Sequence, residues 1–309
     1  MLVLVAVVAT AFAINAVYLR GINQILIERA LHDLEQETEF FKYPLDGIIS
    51  ELKDDLRLLL QLPAIPGMMR ARYNNGVDPK DQATEVQWTD RLASIFSGML
   101  RTRPRYLRLR FAGVADRGKE LVRVERSRDQ IVLAEPSQLL QVADQDFFQE
   151  ILRLSPDTIY LSPMQLSREA GQITLPHTLT VRVGLPVYGP DQKIFGMITI
   201  NADLGALLSD MKQQLPSKST LYVTNIAGDY LVPPDQSFLY ASDLGHGRRI
   251  QQDYPKLQSV TLNRTREKVT FVPEDTLHGN VLAFRKYRYD PLNPDPYAER
   301  QLSSRLPQG

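Results

Sequence analysis

Two neighbouring runs constrain this chain more than any other feature. Over residues 178–188, Leu179, Val181, Val183 and Leu185 alternate with Thr180, Arg182 and Gly184. Over residues 194–202, Phe195, Met197, Thr199 and Asn201 alternate with Ile194, Gly196, Ile198 and Ile200. A strand points successive side chains to opposite faces, so period-two alternation bounded by turn residues predicts strands. The Tyr188-Gly-Pro-Asp-Gln run between them has the Gly and Pro of a tight connection. With a further strand predicted over residues 158–162, the stretch reads as a three-stranded meander. Such a partial sheet needs helices on one side to bury its apolar face.

Helical patterns lie upstream. From residue 20 to 62, Ile22, Ile25, Leu26, Leu31, Leu34, Phe41, Leu45, Ile48, Ile49, Leu52, Leu56 and Leu59 recur at spacings of three and four. Charged residues such as Glu28, Arg29, Asp33 and Asp54 fill the opposite side. Pro44 predicts a kink or short break, and Pro63 and Pro66 an end. A second helix is expected over 85–103, with Trp88, Leu92, Ile95, Phe96, Met99 and Leu100 in one stripe. Trp88, the single tryptophan, reads as a core residue. A hairpin is expected over 105–111 and 120–126, a short helix over 146–152 and another over 206–214. Further strands are expected at 220–224, 230–232, 267–272, 281–289 and 300–305.

The first 19 residues carry no charge and are close to the ~20 needed to cross a bilayer as a helix. Ala11-Phe12-Ala13 resembles a signal-peptide cleavage site, but the basic leader is missing and the apolar run continues past it. A transmembrane helix is the favoured reading. Isolated long helices are marginal in water. The segment from Gly21 to Phe41 is therefore expected to pair with its copy in a homodimer, with Ile22, Ile25, Leu26, Leu31 and Leu34 in the seam.

Several functions are excluded by residue content. Lys and Arg number 36 and Asp and Glu 36, so there is no basic excess to recruit nucleic acid. There is no cysteine, hence no thiolate nucleophile or thiolate metal site. The four histidines are far apart, and no carboxylate cluster has ligand spacing. No catalytic or cofactor-binding motif occurs. These residues are read as non-enzymatic, without cofactor or metal. What stands out is arginine on strands: Arg108, Arg110, Arg123 and Arg182, with Arg168 in a loop. Guanidinium is a fixed fork of donors for carboxylate or phosphate. Each Arg is alternatively solvated or paired with Glu125, Glu169 or Asp203. Arg182 is the strongest candidate, because a mid-strand charge must be paired, liganded or exposed.

The segments IYLSPMQLSREAG, TVRVGLPVYG and FGMITIN, with Pro176 between, resemble the double Cache family of bacterial extracytoplasmic sensors. RARYNNGVDP, YLRLRFAG, GKELVRVER and YVTNIAGDYLVPPD extend the resemblance over most of the chain from about Arg70 onward. The resemblance implies an α+β fold: a long N-terminal helix, then two PAS-like (Cache) modules, each an antiparallel sheet with flanking helices. Residues 1–19 are then the membrane span, 20–62 a stalk helix, 63–214 the membrane-distal module and 215–309 the membrane-proximal module. It also implies a sensor region in the periplasm, anchored in the inner membrane before a histidine kinase or diguanylate cyclase. A membrane-anchored binding module, adhesion module or enzyme without signalling output is the alternative.

The resemblance further implies a small-molecule site over the distal sheet. Its lining is expected from Tyr106, Arg108, Arg123, Tyr160, Arg182 and Asn201, with Arg168 on the covering loop. In the amino-acid-binding branch an acidic residue takes the ammonium group. Asn201 occupies the matching position here, and the Arg-x-Trp-Tyr signature of that branch is absent. A carboxylate or other organic anion is therefore the expected ligand class, with an unliganded module as the alternative.

Overall fold

The computed structural model describes residues 25–38, 41–128, 130–169, 171–216, 219–225, 227–233, 240, 243–245, 247–255, 257–258, 268–271 and 282–285. The apolar run at 1–19 and the strand expected at 300–305 lie outside them. Among the described residues no helix is long and apolar enough to cross a membrane. The chain divides into two compact units. One is built on residues 47–225 and 229–248, the other on residues up to 46, 226–228 and 249–288.

The first unit is a helical layer against an antiparallel sheet. Within the long helical pattern, residues 25–38 form α1 and α2 spans Lys42–Gln61. Pro44 falls in the first turn of α2, where its missing N–H has no intrahelical acceptor to lose. Pro44 therefore does not interrupt α2, contrary to the expected kink or short break at that residue. The same physics explains α3, Ala64–Tyr73, which holds Pro66 in its first turn. Pro63 and Pro66, expected only to end a helix, thus also begin the next one. α4, Glu85–Thr102, starts at a capping box in which Thr84 and Gln87 satisfy each other's backbone N–H groups. Its Trp88, Leu92, Phe96 and Leu100 are buried, so Trp88 is a core residue. The ring sits where a methyl on Gly67 of α3 would come within 2.3 Å of it, so α3 and α4 meet at a glycine.

The main sheet follows. β1 is Tyr106–Gly113, β2 Glu120–Ser127, β3 Gln130–Leu133, β4 Tyr160–Leu161, β5 Gln165–Leu166, β8 Leu179–Tyr188 and β9 Ile194–Asp203. Between β5 and β8, β6 (Arg168–Glu169) and β7 (Gln172–Ile173) form a small separate ribbon. The strand order is β3-β2-β1-β9-β8-β4, with β5 also on β8. One turn of helix, α5 (Ala115–Gly118), joins β1 to β2.

One face of this sheet is apolar. Leu109, Phe111, Val122, Val124, Val181, Val183, Leu185, Ile198 and Ile200 are all buried. Each such side chain contributes roughly 1.5–3 kcal/mol of hydrophobic stabilisation. On the other face lies α6, Asp146–Ile151, whose Phe147, Phe148 and Ile151 pack on Ala112 and Met197. Gly184 permits this approach, since a methyl there would come within 2.7 Å of Ile151. α7, Gly205–Gln213, leaves the sheet, and β10 (Val223–Thr224) pairs with β11 (Tyr230–Val232) around Asn225 and Asp229.

Described by itself, the second unit contains α1, the short α8 (Ile250–Asp253) and the β12–β13 pair (Lys268–Phe271 with Leu282–Arg285). The strands expected at 267–272 and 281–289 correspond to that pair. The architecture is the expected combination of N-terminal helices with antiparallel sheet.

Candidate functional site

The α6 face of the main sheet carries two rows of polar side chains, aligned by strand register. In the first row Glu125 of β2 lies beside Arg108 of β1, then Asn201 of β9 and Arg182 of β8. In the second, Arg123, Arg110, Thr199, Gly184 and Tyr160 follow across β2, β1, β9, β8 and β4. Three strands, β1, β2 and β8, thus bring four guanidinium groups onto one surface. Arg108, Arg110, Arg123, Thr199 and Asn201 are buried there.

Buried charges are costly unless paired, and three of the four arginines have carboxylate partners. Arg108 grips Glu125 through Nε and Nη2 at 2.7 and 2.6 Å. Arg123 lies 3.2 Å from both Glu120 and Glu125, and donates to the Gln138 carbonyl at 2.7 Å. Arg110 forms an ion pair with Glu120 at 2.5 Å. Burial, with Arg108 and Arg123 nearby, outweighs Glu120 and pushes the Arg110 guanidinium down to about 10. The Leu140 backbone N–H also donates to Glu120, which holds that carboxylate in place.

Arg182 differs. Its Nε–H donates to Asn201 Oδ1 at 2.9 Å, and its guanidinium carbon sits 3.8 Å from the centre of the Phe147 ring. Among the described residues no carboxylate pairs with it. Burial, reinforced by the like charges of Arg110 and Arg108, pushes it down to about 9. It remains a cation at neutral pH. The strand around it is pinned by Ser162, whose hydroxyl accepts the Arg182 backbone N–H at 2.8 Å and whose own N–H donates to the Arg182 carbonyl. Tyr160, on the β4 edge, is pushed up to about 12 by burial and by Glu150, so its hydroxyl stays a neutral donor.

Tyr106 leaves the set. Strict alternation from Arg108 puts Tyr106 on the same face, but a bulge between them shifts the register against β9. Tyr106 lies opposite Ala202 and Arg108 opposite Asn201, so the two side chains point to opposite faces. The Tyr106 hydroxyl instead donates to Asp55 of α2 at 2.7 Å. Arg168 is in the β6–β7 ribbon, outside both rows. It lies 3.4 Å from Asp243 and donates to the Gly171 carbonyl.

The structure brings Arg108, Arg123, Tyr160, Arg182 and Asn201 onto one surface. It adds Arg110, Glu120 and Phe147, which were not in the expected lining. Arg110 was visible as a strand arginine sharing the parity of Arg108. Glu120 and Phe147 had no local signal, because both act through contacts between distant segments. Among the described residues no group of acidic or histidine side chains is arranged to hold a metal ion.

The chain is similar to solved sensor domains along most of its length. A domain of a sensory box/GGDEF family protein from Vibrio parahaemolyticus is 17% identical with a TM-score of 0.59, covering 80% of this chain and 89% of that one. The extracellular domain of the histidine kinase vpHK1S-Z8 is 18% identical, also at 0.59, covering 80% and 85%. The ligand-binding domain of the Campylobacter jejuni chemoreceptor Tlp3, in complex with L-valine, is 15% identical at 0.53, covering 82% and 87%. At these identities the likeness establishes a common fold. No curated protein matches the chain. The bacterial histidine kinase sensor domain profile matches residues 80–272, more than half of the chain, including both polar rows. The chain is a member of that family of bacterial sensor domains, a sensing rather than a catalytic region.

Proposed function

We propose that this chain is the periplasmic ligand-sensing region of an inner-membrane receptor, and that Arg182 anchors the acid group of a small organic anion. The chain would pass binding to a cytoplasmic histidine kinase or diguanylate cyclase. One observation carries the ligand reading: a desolvated guanidinium with a neutral amide and an aromatic ring as partners, and no carboxylate among the described residues. An anion supplies the missing charge, and a charge-assisted contact of this kind contributes about 1.5–3 kcal/mol. Arg108, Arg123, Tyr160 and Asn201 complete the lining in this reading.

Asn201 favours a simple acid over an α-amino acid. Its Oδ1 already accepts from Arg182, so the end left for a ligand is the Nδ2 donor. An ammonium group needs acceptors, and Glu120 and Glu125 are engaged by arginines. The experiment is a calorimetric and thermal-shift screen of the purified chain against organic acids, phosphates and amino acids. Acids should stabilise it. Amino acids binding in preference, or no anion binding at all, would refute the reading.

The anchoring part of the proposal draws on the uncharged run at residues 1–19. Pairing of two copies draws on α1. No residue of 25–38 is buried, and Ile25 and Leu26 are 53% and 55% exposed. Cysteine at Ile25 should crosslink two copies in membranes. Crosslinking at Arg29 but not at Ile25 would reject this seam.

A further inference from the structure

Phe147 meets two of the site's cations with one ring. The Arg182 guanidinium carbon lies 3.8 Å from its centroid and that of Arg110 lies 5.5 Å away. Phe147 belongs to α6, while both arginines belong to the sheet. We infer that Phe147 is a positioning residue: its ring face, together with Asn201, holds the Arg182 fork in the orientation that receives an anion. The inference rests on the reading of Arg182 as the ligand anchor.

The argument comes from how a guanidinium uses its surfaces. Its flat faces are weakly hydrated and stack on aromatic rings, whereas all five N–H donors lie in its plane. Stacking on Phe147 therefore consumes no donor. Asn201 takes the Nε–H, which fixes rotation within the plane. The ring fixes the plane itself. The Nη donors remain in that plane, directed where a carboxylate accepts two parallel bonds. Without the ring, one hydrogen bond would be left to orient a side chain rich in rotamers, with Arg110 and Arg108 repelling it. The flanking Phe148 and Ile151 pack on Ala112 and Met197, so α6 is seated independently of the cations. Phe147 is thus delivered by a helix whose place is set by apolar packing.

The test compares Phe147→Leu, which keeps an apolar side chain without a ring face, with Phe147→Tyr, which keeps the face. Two readouts are used on the full chain: calorimetric affinity for acetate, and hydrogen exchange of the Arg182 Nε–H by NMR. Phe147→Leu should weaken acetate binding about tenfold and accelerate Nε–H exchange, while Phe147→Tyr should behave as the native chain. Wild-type affinity and exchange in Phe147→Leu would overturn the inference. If acetate binds neither native chain nor variants, yet Phe147→Leu accelerates the exchange, the positioning stands and the anion reading falls. Should Phe147→Leu fail to fold, Arg182→Gln decides. It must shift the Phe147 ring resonances more than those of Phe148, and equal shifts would overturn the inference.

Discussion

Arg182 donates its Nε–H to Asn201 Oδ1 across the β8–β9 pair at 2.9 Å, between directly opposed residues. This bond selects the amide orientation and leaves the Asn201 Nδ2 donor uncommitted to Arg182. It also leaves the positive charge of Arg182 unneutralised, which an aspartate at the same position would not. A neutral partner at this one position leaves the charge that the proposed anion would complement.

Arg182→Gln should weaken anion recognition without unfolding the sheet. Losing a charge-assisted contact weakens binding about 10- to 150-fold. Because the substitution also removes a desolvated cation, thermal stability should hold or rise. Affinity should depend on pH with a definite sign. In the proposed reading the guanidinium form binds the anion, and it is held down to about 9, so affinity stays level from the acid's own pKa up to that pH and falls above it. Calorimetric titration of the best acid ligand at neutral and alkaline pH measures both effects.

Glu120→Gln should be strongly destabilising. Glu120 is buried and takes Arg110, Arg123 and the Leu140 N–H at once. Removing one partner from a buried charge network costs about 3–5 kcal/mol. Adding Arg110→Met should recover much of the loss, because it removes the cation left without a counter-charge. Urea unfolding of the single and double variants checks this, and an additive double variant would refute the coupling.

Tyr106→Phe should separate stability from recognition. It deletes the hydrogen bond to Asp55, with an expected loss of about 0.5–1.5 kcal/mol, or more if the carboxylate is left unsatisfied. Ligand affinity should be unchanged, since the bulge sends Tyr106 to the α2 side. A change in affinity comparable to that of Arg182→Gln would put Tyr106 back in the site.

Asp78→Asn should destabilise the chain at neutral pH and lose its effect in acid. Arg70 bonds both Asp78 oxygens at 2.9 and 2.7 Å, and the Lys80 N–H adds a third bond. The Arg70 hydrogen bond is the main reason the carboxyl falls from 3.8 to about 2. A depressed carboxyl stabilises the folded state above its unfolded value, and that stability disappears as pH falls toward the folded value. The difference between native and variant melting temperatures should therefore be full above about pH 5 and shrink toward pH 2. A constant difference across that range would refute the assignment.

Much of this architecture is local and so was readable in the residues themselves. Alternation places Val181, Val183, Ile198 and Ile200 on one face of β8 and β9, because a strand has no other way to bury them. Thr84 and Gln87 begin α4 because the first backbone N–H groups of any helix need acceptors. The apolar stripe through Trp88, Leu92 and Phe96 follows from the helical repeat alone.

The site was decided by tertiary structure, because its chemistry depends on distance between segments remote in sequence. A bulge between Tyr106 and Arg108 overturned face parity, and neither residue advertises it. Which arginines find carboxylates depended on register: Glu125 opposite Arg108, and Glu120 within reach of both Arg110 and Arg123. Sequence alone favoured Arg182 over Arg108 and Arg123 but left open which of the three finds a carboxylate. The packed sheet decides it, since charge pairing falls steeply with separation and the residue opposite Arg182 offers an amide instead of an acid.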